Sequence, residues 1–259
     1  MNSRVLNMLF SERVFEMRKS TTECVRFTYD VDGVEVPGFM LRPANIAEDT
    51  PVLVYHRGGN GSFGALGFLN LYTRFGELAR EGYVIIGSNL REQDEFGGAD
   101  VEDSRRILDI VKGMDNVDLD RIALWGASRG ASQMMQVARG RDDIHALIFA
   151  VGSADHERSL VTRPEMLSVY QARVPDFENN REQALYERSV VNWVEEVPQV
   201  PILILHGEQD AQVDVEQAHI LAAALDEHDY EYTLNIYPDL GHNMMGKPAD
   251  DMLVWLRGF

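Results

Sequence analysis

The sequence predicts a mostly parallel, doubly wound α/β sheet with an antiparallel hairpin at its N-terminal end. Three observations predict it: five short, continuous apolar runs, helical stretches between them, and two alternating segments ahead of them. Continuous apolar runs fit strands buried on both faces of a parallel sheet, whereas alternation fits strands with one wet face. Strand–helix alternation then gives the α/β class.

The elements follow in chain order. The first 22 residues read as a short helix. CVRFTYD (24–30) and VEVPGFMLRP (34–43) alternate apolar and polar around Asp32-Gly33, a hairpin turn signal. The apolar runs are PVLVYH (51–56), YVIIGSNL (83–90), RIALWG (121–126), HALIFAV (145–151) and PILILH (201–206). Helical stretches cover 66–81, 100–114, 132–140 and 215–228, followed by a strand-like YEYTLNIYP (230–238) and a last helix, PADDMLVWLRGF. Residues 152–199 break the rhythm. They are polar and helical in pattern, and an insertion of that length beside a sheet reads as a small cap.

A chain of 259 residues, 45% hydrophobic, supplies one large core, so a single domain over 1–259 with the cap at 152–199 is expected. The net charge of −18 repels nucleic acid and anionic lipid, so neither is an expected partner. The one cysteine, Cys24, allows no intrachain disulfide, which suits a reducing compartment. The N-terminal stretch has no apolar core long enough for a signal peptide, and no run of 18 apolar residues exists. A cytoplasmic protein with no membrane partner is the expectation; the oligomeric state is left open.

GASRG (126–130) has the form G-x-S-x-G where the strand RIALWG meets a helix. A serine on such a turn is lifted clear of the sheet, with small neighbours relieving the crowded backbone and a helix N-terminus behind it. A nucleophilic serine needs a base, and the base an orienting acid, each just past a later strand in the order Ser, acid, His. Asp210 lies in the turn after PILILH and His242 in the loop after YTLNIYP. Ser128, Asp210 and His242 are the expected triad. Asp214 is the rival acid, although its position at the start of a helix reads as an N-cap. His56 and His206, at strand ends, read as structural, and no cluster has metal-ligand spacing.

These residues resemble the α/β-hydrolase superfamily, and within it the catalytic domain of the prolyl oligopeptidase family. The resemblance rests on RGGNGSFG, DEFGGADVEDSRRI, GASRGASQMM, RPEMLSVY, YERSVVNWVEEVPQVPILILHGEQDAQV and YPDLGHNM, together most of residues 52–245. It implies the α/β-hydrolase fold and serine hydrolysis without metal or cofactor. Two departures stand out. No β-propeller is expected ahead of the hydrolase, so peptidase activity does not carry over directly. Ala131 also stands where many relatives have a second Gly after the elbow.

Besides a flexible glycine loop with no role, the loop HRGGNGSFG (56–64) admits two readings. Gly59, Gly61 and Gly64 have dinucleotide-binding spacing, which would make the chain an NAD-dependent oxidoreductase. That reading wants an acid at the tip of the next strand; Glu81 has the right count but ends a helix, and the tip, SNL, has no carboxylate. The other reading is half of an oxyanion hole, where two N–H donors are each worth roughly 3 kcal/mol of barrier. The amide of Arg129 is one donor, and Gly58 or Gly59, or else Arg57, supplies the second. Arg57, Arg163, Glu165, Met166 and Tyr170 are candidate substrate contacts. Arg163 and Glu165 would hold a charged end, and Met166, Tyr170 and Phe177 would line an acyl pocket. The expected substrate is a small ester, with a short peptide or aminoacyl amide second, because an alkoxide leaves more readily than an amine.

Overall fold

A computed structural model describes residues 12–258. Helix α1 (Glu12–Thr21) precedes the hairpin β1 (Thr22–Val31) and β2 (Val34–Pro43). Only part of the helix expected over the first 22 residues is therefore described; residues 1–11 lie outside. Between the hairpin strands, Asp32 and Gly33 both have positive φ, 53° and 82°, as a type I′ turn requires.

Then follow β3 (Thr50–His56), α2 (Phe68–Arg80), β4 (Val84–Ser88), α3 (Asp100–Lys112), β5 (Val117–Ala127), α4 (Arg129–Ala138) and β6 (Ala146–Ala150). Three helices, α5 (His156–Thr162), α6 (Met166–Arg173) and α7 (Phe177–Arg188), come next. The chain closes with β7 (Ile202–Gly207), α8 (Glu216–Glu227), β8 (Tyr232–Tyr237) and α9 (Lys247–Leu256). The eight strands form one sheet in the order β1-β2-β4-β3-β5-β6-β7-β8. Pairing is antiparallel from β1 to β4 and parallel from β4 to β8. This is the α/β-hydrolase fold.

Alternation along each strand splits the core in two. Val52 and Val54 of β3 face α3, α4 and α8, packing with Ile107, Met134 and Leu221. Leu53 and Tyr55 face α1, α2 and α9, packing with Phe15, Phe75 and Leu256. Strands β3, β4, β6 and β7 are buried on both faces, which is why their sequences read as unbroken apolar runs. Residues 152–199 carry α5 to α7 and two short 3₁₀ turns, with a small core of their own around Leu160, Tyr170 and Phe177. Among the described residues, no helix is long and apolar enough to cross a membrane.

Candidate active site

The C-terminal ends of β5, β7 and β8 bring together three loops. Ser128 sits between β5 and α4 with φ 57° and ψ −130°, a strained conformation for a residue with a side chain. The strain is held by close packing. A side chain on Gly126 would strike the backbone of Gly130 and Ala131, and one on Gly130 would strike the His56 carbonyl. The G-x-S-x-G spacing is thus a requirement of the turn.

Ser128 Oγ lies 2.9 Å from His242 Nε2, and His242 Nδ1 lies 2.7 Å from Asp210 Oδ2. With Asp210 ionised, Nδ1 carries the proton and donates it to the carboxylate, so Nε2 is left to accept the serine hydroxyl. Burial alone would raise the Asp210 carboxyl. Hydrogen bonds from His206, His242 and the Val213 and Gln212 amides outweigh burial and hold it well below the usual carboxylate range. His206 Nε2 bonds the Val213 carbonyl at 2.9 Å and stands 3.5 Å from Asp210 Oδ2. Asp214 makes no bond to His242. It accepts the Glu216 amide at 2.9 Å, just ahead of α8, whose N-cap is Val215.

The glycine-rich loop lies against the elbow, with Gly58 packed on the Ser128 side chain and the Ala127 carbonyl. The N–H groups of Gly58, Gly59 and Arg129 have no hydrogen-bond partner among the described residues. They are available to a developing oxyanion. The carbonyls of Gly58, Gly61 and Phe63 instead converge on the Arg57 guanidinium, at 2.6 to 3.0 Å, and Arg57 Nε donates to the Asn89 carbonyl at 2.9 Å. Arg57 is therefore buried under the loop and fixes its shape. Where the sequence suggested a substrate contact, its donors go to backbone and it lines neither cavity at Ser128.

Sequence reasoning used only the amide of Arg129. Its side chain is 4% exposed; it donates to the Gly59 carbonyl at 3.0 Å and pairs with Asp94 and with Asp100 at 2.9 and 2.5 Å. Asp94 also accepts the Gly61 amide in a short bond, and Phe96 lies under the guanidinium, 4.8 Å away. This network ties elbow, glycine loop and α3 together. Its acids resemble surface acids in sequence, and no local signal marks them as buried.

Two cavities meet at Ser128. One, of about 160 Å³, is lined by Arg163, Met166, Tyr170 and His156 from the α5–α6 segment. Its floor is a hydrogen-bond chain: Tyr170 donates to His156 Nδ1 at 2.7 Å, His156 Nε2 to Ser132 at 3.0 Å, and Ser132 to the Ser153 carbonyl at 2.7 Å. Burial pushes His156 down to about 3, so the ring is neutral. Glu165 does not line this cavity; it is exposed and pairs with Arg163 at 3.0 Å. Phe177 lies beneath Tyr170, 5.6 Å away and stacked, not in the wall. The second cavity, of about 280 Å³, is lined by His242 and by Tyr55, Arg74 and Trp125. Phe63, 78% exposed and missed by sequence, lines both. Among the described residues, no group of three His, Cys, Asp or Glu side chains is placed to hold a metal.

This fold, with this elbow, defines the class: a serine hydrolase of the α/β-hydrolase superfamily. The chain belongs to the prolyl oligopeptidase family, whose family model matches residues 80–258. It is similar to the uncharacterized peptidase YuxL of Bacillus subtilis (strain 168), at 26% identity over 231 residues. That match covers 82% of this chain, which spans about a third (34%) of the relative. Among solved structures, it resembles an acylaminoacyl peptidase of Pyrococcus horikoshii (TM-score 0.78, 19% identity, 96% of this chain and 43% of that one). It also resembles an acetyl xylan esterase of Paenibacillus sp. R4 (TM-score 0.71, 19% identity, 92% of this chain and 84% of that one). Peptidases and esterases thus stand side by side among its neighbours.

Proposed function

We propose that Ser128, His242 and Asp210 cleave a small ester or amide through an acyl-enzyme, with an ester the preferred substrate. His242 takes the Ser128 proton as Oγ attacks the carbonyl carbon, then gives that proton to the leaving oxygen or nitrogen. Asp210 keeps the proton on Nδ1 and stabilises the imidazolium. The oxyanion is received by the amides of Arg129 and of the Gly58–Gly59 turn. Water, deprotonated by His242, then releases the acyl group. Residues 152–199 serve as a cap, with Met166 and Tyr170 receiving the acyl part and Arg163 at its rim. The single observation that supports this most is the unbroken bond chain from Ser128 Oγ through His242 to Asp210.

A fluorophosphonate should label Ser128, and p-nitrophenyl butyrate should turn over faster than an aminoacyl p-nitroanilide. Ser128→Ala should abolish both reactions with folding intact. Unlabelled Ser128 would remove the mechanism; faster anilide turnover would favour the aminoacyl peptidase reading, which the peptidase relatives support.

A further inference from the structure

We propose that the cavity on the His242 side of Ser128 binds a leaving group that carries a carboxylate. The substrate is then an acyl ester of a hydroxy acid or an acyl amide of an amino acid. The inference rests on the triad chemistry above and adds the class of the leaving group.

The side of the site follows from proton transfer. The leaving atom must lie within hydrogen-bond reach of the imidazole that protonates it. His242 lines the 280 Å³ cavity and not the other. The leaving group therefore occupies the His242 side, and the acyl part the Tyr170 side.

The cavity's chemistry follows from its donors. The chain has 42 acidic residues against 24 Lys and Arg, yet among the described residues no Asp or Glu lines this cavity. Arg74 lines it and has no carboxylate partner among the described residues; its only bond runs from NH1 to the Tyr55 hydroxyl oxygen at 3.0 Å. Arg80, on the same helix, is paired with Glu77. Because Tyr55 accepts from Arg74, its own proton is free for a ligand. The guanidinium and the phenol, without a competing carboxylate among the described residues, make an anion-receiving wall. The bond balance is simple. Oγ gains the acyl carbon, the C–O or C–N bond breaks, and the proton taken from Ser128 goes to the leaving oxygen or nitrogen. The carboxylate departs unchanged.

Four substrates test this: 3-phenylpropionyl-lactate, its methyl ester, 3-phenylpropionyl-alanine and its amide. For whichever bond is cleaved, the free acid should exceed its neutral counterpart at least tenfold in kcat/KM, mainly through KM. Lactate and alanine arms separate a hydroxy acid from an amino acid. Arg74→Gln should bring that ratio close to one, with fluorophosphonate labelling confirming an intact site. Arg106→Gln, paired with Asp109 away from the cavity, should leave the ratio alone. A neutral substrate cleaved as fast as its acid, a ratio that survives Arg74→Gln, or a labelled enzyme that cleaves none of the four would overturn the proposal. Failure to label Ser128 would instead overturn the triad reading on which it stands.

Discussion

Asp210 and Asp214 stand four residues apart on one loop, and only their bonding separates them. Asp210 accepts from His242 and from two backbone amides, whereas Asp214 accepts from the Glu216 amide. Asp210→Asn should therefore leave the geometry nearly intact but put the wrong tautomer on His242, lowering kcat by about 10³–10⁴-fold. Asp214→Asn should stay within about tenfold of wild type. Steady-state kinetics of the two variants with one ester decides the matter, and the reverse order would reassign the acid. At this scale chain order and strand ends were enough to anticipate that Ser128, His242 and Asp210 meet within hydrogen-bond reach. They did not tell which charged side chains face the cavities. Arg57 and Glu165 carry suitable charges, but only the fold reveals that one is spent on carbonyls and the other points to solvent.

Between elements, the Arg129 side chain does what its neighbours in sequence cannot. It bonds the carbonyl of the glycine loop and pairs with two fully buried carboxylates, Asp94, which also meets Arg173 at 3.5 Å, and Asp100. Arg129→Met retains the backbone amide but leaves Asp100 without its ion-pair partner. The expected cost is about 3–5 kcal/mol in urea denaturation. Adding Asp94→Asn and Asp100→Asn should recover part of it, since the three groups share one network. A loss below about 1 kcal/mol would mean the network contributes little. The strands and helices were legible to within a few residues because burial on both faces forces continuous apolar runs. The network was not, because Asp94 and Asp100 are made internal by the glycine loop and α4, distant in the chain. The helices of 152–199 were legible as helical, but which side chains face the cavity depends on how they pack on one another.

The molecule as a whole contains two histidines that folding keeps neutral. Burial pushes His56 down to about 4 and His156 to about 3, against about 6.5 in the unfolded chain. The folded values are depressed, so stability is full above pH 6.5 and falls as the unfolded chain gains protons the native state refuses. Between pH 7 and pH 5 each histidine should cost about 2 kcal/mol. His156→Gln should flatten the fall in urea midpoint across that window, and an unchanged slope would show that His156 is protonated in the native state.

The convergence of three distant loops on one hydroxyl is tested most directly by mapping a fluorophosphonate adduct by mass spectrometry. The account predicts a single adduct on Ser128, lost in Ser128→Ala and slowed at least a hundredfold in His242→Ala. An adduct on another residue, or one formed equally fast without His242, would contradict it.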